Sequence, residues 1–121
     1  MVLVDTSVWV EFLKRKPPYF NRMRSLLDHG EVLGIECVFG ELLQGARGDA
    51  EANIILEYWD NISRVSDSGL WLEAGVYSSQ HKLFSKGVGL IDAVLIVAAK
   101  KARAKLWTLD LHLSSVAGQV I

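Results

Sequence analysis

The chain has 121 residues, half of them hydrophobic, and a net charge of −1. Such a length and apolar content fit one α/β-sized domain spanning residues 1–121 with a substantial core, and they argue against long disordered stretches. The near-neutral charge excludes a generally basic nucleic-acid coat, so any such contact must use a local patch. The single cysteine, Cys37, excludes an internal disulfide and any Cys/His zinc spacing, and it fits a reducing, cytoplasmic setting. The longest clean apolar run, residues 93–99, is far too short to span a bilayer. The first apolar run is cut by Asp5 and has no basic residue before it, so neither a membrane anchor nor a signal peptide is expected.

Val2 to Val4 reads as a short buried strand. Thr6 or Ser7 is then expected to cap a helix from Val8 to Arg15 with Val8, Trp9, Phe12 and Leu13 on one face, ended by Pro17-Pro18. A second helix follows from Tyr19 or Phe20 to His29 and stops at Gly30. Glu31 to Ile35 is strand-like, and Glu36 to Gln44 is a third helix ended by Gly45. Asp49 is expected to cap a fourth helix with Ile54, Ile55, Tyr58 and Trp59 on one face. Ile62 to Val65 is a weak strand. Asp67 or Ser68 should cap a long helix to about Ser85, with Leu70, Ala74, Tyr77 and Phe84 along its apolar row and His81 beside them. Ile91 to Lys101 is apolar nearly all round and so predicts a buried helix. Lys105 to Thr108 reads as a strand, Leu111 to Ala117 as a short helix, and Val120-Ile121 as a last edge strand. Strands alternating with helices predict a mainly parallel sheet between helical layers, a three-layer α/β/α sandwich. Ligands of such sheets bind outside the carboxyl ends of the strands.

Four acids stand against apolar segments: Asp5 after the first strand, Glu41 on the third helix, Asp92 at the head of the buried helix and Asp110 after the last clear strand. An unpaired carboxylate out of water costs several kcal/mol, and no Lys or Arg lies within three residues of any of them. Each has a plainer reading alone: Asp5 a helix cap, Glu41 a solvated residue, Asp110 a turn residue, Asp92 a partner for the helix dipole. Together they point to a shared divalent cation, since carboxylate oxygens suit Mg²⁺ and a metal favours their ionised forms. The reaction class matching that arrangement is phosphodiester hydrolysis.

The motifs Val4-Asp5-Thr6-Ser7, Glu41-Leu42-Leu43-Gln44-Gly45, Gly89-Leu90-Ile91-Asp92-Ala93 and Trp107-Thr108-Leu109-Asp110 occur in that order across nearly the whole chain. In them the sequence resembles PIN-domain proteins, specifically the VapC-like toxin ribonucleases of toxin–antitoxin pairs. It departs from that pattern in having Leu113 three positions after the last acid, where an aromatic is common. The resemblance implies an endoribonuclease dependent on Mg²⁺ or Mn²⁺, an RNA substrate, a cognate antitoxin and a homodimer. It implies that Asp5, Glu41 and Asp92 hold the metal with Asp110 as the fourth acid, and that Thr6, Ser7 and Thr108 are polar supports. Two rival readings stay open: a non-catalytic metal- or RNA-binding module, and a DNA-directed nuclease of the same fold.

Several other features have two readings each. Lys14, Arg15, Lys16, Arg22 and Arg24, and later Lys100, Lys101, Arg103 and Lys105, are either dipole-favourable surface cations or phosphate contacts. Arg47 is expected either at the rim of the acidic site, contacting RNA, or as a plain surface residue. Trp9, Phe12, Phe20 and Met23 are either core or the wall of a groove for an amphipathic antitoxin helix. His81 is expected to be packed, and His112, two residues after Asp110, is a candidate neighbour of the site. No nucleophile elbow, Walker-type loop or dinucleotide fingerprint is present.

Overall fold

A computed structural model describes residues 1–117. In chain order the elements are β1 (Val2–Val4), α1 (Thr6–Leu13), α2 (Tyr19–Asp28), β2 (Val32–Ile35), α3 (Glu36–Gln44) and α4 (Asp49–Asn61). There follow β3 (Ser63–Val65), α5 (Leu70–His81), a 3₁₀ turn (Phe84–Lys86), α6 (Leu90–Ala102), β4 (Lys105–Trp107) and α7 (Leu111–Val116). The four strands form one sheet in the order β3-β2-β1-β4, and every pairing is parallel. With helices covering the sheet, the architecture is the expected α/β/α sandwich.

The register sets the site. Val2 pairs with Val32 on one side and Lys105 on the other, and Val4 lies opposite Trp107. β1 is therefore an interior strand, covered on both faces, which is why its three residues are all apolar and buried. α6 packs beneath it with seven consecutive buried residues, Ala93 to Ala99. On the other side Trp9 meets Phe39 at 5.1 Å, Tyr58 at 5.6 Å and Phe12 at 5.8 Å between ring centroids. These tilted and edge-on contacts, with Met23 fully buried beside them, place Trp9, Phe12 and Met23 in the core.

Several local expectations are corrected. The cap of α1 is Asp5, one residue before the predicted Thr6 or Ser7, and its side chain accepts from Thr6 N. Gly48 is the cap of α4, while Asp49 sits in the first turn, where its charge still favours the helix dipole. Ile54 on α4 turns toward solvent and away from the face that buries Ile55.

The helix predicted to reach Ser85 ends four residues earlier. Lys82 takes a left-handed conformation (φ 53°), and the N–H groups of Lys82 and Leu83 donate to the carbonyls of Ser79 and Ser78. This is a Schellman ending whose following apolar residue, Leu83, tucks into the core. Burial of Leu83 outweighs the cost, about 1–2 kcal/mol, of a left-handed lysine. Beyond the break Phe84 is 87% exposed instead of lying in the apolar row. His81 is exposed too, with its ring stacked on Tyr77 at 4.0 Å. The expected strand at Val120-Ile121 lies outside the described residues. No helix among the described residues is long and apolar enough to cross a membrane.

Candidate functional site

Parallel pairing brings the ends of β1 and β4 side by side: Asp5 N donates to Trp107 O at 2.9 Å. Asp5 is only 7% exposed, and both oxygens of its carboxylate accept hydrogen bonds. Oδ1 accepts from Thr6 N at 2.7 Å, and Oδ2 accepts from Thr108 Oγ1 at 2.6 Å and from Ser7 Oγ at 3.0 Å. A buried carboxylate holding three donors is a satisfied group, which offsets its desolvation.

The supporting hydroxyls extend the network outward. Thr6 Oγ1 donates to Glu41 Oε1 at 2.7 Å, tying α1 to α3. Ser7 Oγ accepts from Leu109 N and Thr108 Oγ1 accepts from Asp110 N, each at 3.0 Å. Asp110 in turn caps α7 by accepting from Leu113 N at 3.0 Å. Thr6, Ser7 and Thr108 thus each touch an acid or the backbone beside one. Asp110 is exposed, and Glu41 and Asp92 are half-buried.

Asp92 lies in the first turn of α6. Burial, and then the charges of Asp5, Asp110 and Glu41, push its carboxyl up to about 6, against a backbone hydrogen bond at Gly89 that pulls it down. The four acids are therefore within electrostatic reach of one another. They are nevertheless spread: among the described residues, no three His, Cys, Asp or Glu side chains stand close enough to ligate one ion as they lie. The donor set still suits a hard divalent cation, being carboxylate and hydroxyl oxygen with no thiolate or imidazole. A cation would relieve the repulsion that raises Asp92.

Other expected participants stand apart. Arg47 pairs its Nε with Glu51 Oε2 at 3.4 Å and is 87% exposed in its side chain. It lines the same groove as Glu41 but makes no contact with the acids. The His112 ring lies against Gly87, and no hydrogen bond joins it to an acid among the described residues. His29 and His81 each bond the carbonyl four residues back. Burial, then Asp67 and Glu41, push the Cys37 thiol up to about 12, so it is no nucleophile at neutral pH. The groove itself was only half foreseen. It holds about 850 Å³ between α1, α2 and α4, with Phe12, Phe20, Leu27 and Ile55 among its apolar walls, and runs from Lys14, Arg15 and Arg24 to Glu41.

The family model described as the PIN domain matches residues 2–119. A search of curated protein sequences gave no match. Among solved structures, the fold is similar to a toxin–antitoxin complex from Klebsiella pneumoniae, with a TM-score of 0.81 at 14% identity, covering 100% of this chain and 96% of that one. VapBC2 from Rickettsia felis, bound to a DNA fragment from its promoter, gives 0.74 at 18% identity, covering 100% and 96%. FitAcB from Neisseria gonorrhoeae gives 0.67 at 20% identity, with the same two coverages of 100% and 96%. At these identities the likeness is one of fold. The family model, by contrast, spans nearly the whole sequence and runs through all four acids, and on that match the chain belongs to the PIN-domain family.

Proposed function

We propose that this chain is a divalent-metal-dependent endoribonuclease and the toxin of a toxin–antitoxin pair. PIN domains are generally nucleases, and the observation that carries the reading is that Thr6 and Thr108 tie the buried Asp5 carboxylate to Glu41 and to the backbone of Asp110 at the strand ends, with Asp92 raised by burial and by these acids. A half-buried carboxylate facing other acids is costly unless a cation uses it.

Asp5, Glu41 and Asp92 would hold Mg²⁺ or Mn²⁺, with Asp110 at the margin. The chemistry such an ion supplies when bound is Lewis acidity toward a phosphate oxygen and a lowered pKa for its water. The chain's own residues do the rest. Thr108, Ser7 and the Thr6 N–H fix the Asp5 carboxylate in one orientation, and Thr6 Oγ1 fixes Glu41. Basic side chains position the strand, with Arg47 at the mouth near Glu41.

The antitoxin is proposed to seat an apolar segment in the groove between α1, α2 and α4. Similar folds occur in a toxin–antitoxin complex and in VapBC2, which supports that partner. A homodimer belongs to the proposal through the family resemblance, and light scattering of the purified chain tests it.

The deciding experiment digests total cellular RNA, beside labelled DNA, with the purified antitoxin-free chain in Mg²⁺ or Mn²⁺ and in chelator, together with Asp92→Asn. Discrete RNA fragments that vanish with chelator and with the variant are expected. A folded, metal-loaded sample that cuts neither polymer would instead favour a binding module, and one that cuts only DNA would redirect the substrate.

A further inference from the structure

Phe84 and Leu72 are the two most exposed large hydrophobic residues among the described residues, at 87% and 83%. Leu72 shares a stripe of α5 with Gly75, Val76 and Ser79, because residues three or four apart lie on one helix face. Gly75, Ser79 and Lys82, the C-cap of α5, also line a shallow hollow of about 570 Å³ with Phe84, Val88 and Leu90. The helix stripe and the 3₁₀ turn thus form one surface, to which the half-exposed Val76 and Leu90 also belong.

Gly75 stands in the middle of α5, where glycine is a poor helix former. No contact within the chain calls for it: a Cβ there would meet nothing within 4 Å. A glycine in an open helix face lets a neighbour from outside the chain approach closely. No Asp or Glu lines the hollow, and Lys82 is its one charged residue. A strongly charged partner would find little to pair with here, whereas an apolar one leaves no charge stranded. Leu72, Val76, Phe84 and Leu90 together expose on the order of 500 Å², large for an apolar patch on a monomer. With the rim of Ser79, Lys82 and Ser85, an occupant would cover roughly the 800 Å² per partner of a stable pair.

We propose that this surface is the two-fold interface between two copies of the chain, in which the Phe84 ring of each enters the hollow of the other over Gly75. Ring and hollow lie side by side on one face, and a two-fold contact sets each against its counterpart, which favours a second copy over another apolar partner. α5 packs on α6, on the opposite side of the sheet from Trp9, so pairing leaves the groove between α1, α2 and α4 open. The inference rests on the homodimer of the reading above and gives it a surface.

Analytical ultracentrifugation of the purified full chain should show a dimer. Phe84→Ala and Leu72→Lys should each weaken association about tenfold or more. Gly75→Gln favours the helix and fills the hollow, so it should keep the parent's circular dichroism and lose the dimer. Ile54→Lys, half-exposed on α4, should leave the dimer intact. If Phe84→Ala and Gly75→Gln pair as tightly as their parent, the surface is wrong while the homodimer stands. If Ile54→Lys alone dissociates the pair, the interface belongs to α4 instead. If the native chain stays a monomer throughout, surface and homodimer fall together, and the nuclease reading, tested by RNA digestion, is untouched.

Discussion

Thr108 Oγ1 donates to Asp5 Oδ2 at 2.6 Å across a separation of 103 residues, and both side chains are buried. Thr108 also accepts from Asp110 N, so one hydroxyl joins the first acid to the last. Thr108→Val keeps the shape and removes both bonds, leaving a buried carboxylate with one donor fewer and an unpaired N–H. The expected loss is about 1–3 kcal/mol, read by urea unfolding, with Thr108→Ser recovering most of it. Equal stability of the Val and Ser variants would show that the hydroxyl does not matter.

Asp92 gives a pH signature. Its folded carboxyl titrates at about 6 against 3.8 ordinarily, so the folded chain keeps a proton there that the unfolded chain has released. The contribution of Asp92 to stability without divalent ions is therefore full below about pH 4 and is lost as pH rises through about 6. Asp92→Asn should flatten that slope and raise the melting temperature at pH 7 in chelator. The gain is of order 1 kcal/mol once solvent screening of a half-buried group is allowed for. Added Mg²⁺ or Mn²⁺ should raise the native chain's melting temperature and leave the Asn variant nearly unmoved. Identical pH profiles for the two proteins would contradict the electrostatic account.

Arg47 separates stability from binding. Its only ion pair among the described residues is exposed and reaches from the loop before α4 to Glu51 in that helix's first turn, so Arg47→Ala should change stability by no more than about 0.5 kcal/mol. The same change should weaken RNA binding and slow cleavage. Unaltered affinity and cleavage would remove Arg47 from the proposed RNA track.

Gly87 has a left-handed backbone (φ 78°) and the His112 ring where a Cβ would go. Gly87→Ala should cost about 1–2 kcal/mol from conformation alone, with more from the displaced ring. Adding His112→Ala should return only the contact part. Full recovery in the double variant would show that the backbone carries no strain.

Legibility in the sequence divides along the range of the interactions involved. The bounds of α3 were readable because apolar spacing and Gly45 mark them locally. The burial of α6 was readable because seven apolar residues in a row leave no polar face. The end of α5 was not, since the break falls at Lys82, a residue with no turn signature, and depends on where Leu83 is buried. The four acids were visible as misfits against apolar runs, but the donors that satisfy Asp5 were not. Thr108 is brought there only by parallel pairing of β1 with β4, a relationship with no local trace. The roles of Thr6, Ser7 and Thr108 were read only through family resemblance.

The position of β1 between β2 and β4 also orders events in time. The ribosome delivers Asp5 103 residues ahead of Thr108, and its neighbour on one side is the late strand β4. Until Trp107 and Thr108 have left the tunnel, the first acid has neither its backbone partner nor its shortest hydrogen bond. The acidic centre is thus a late product of synthesis, and a nascent chain halted before β4 carries an early aspartate with no finished site around it.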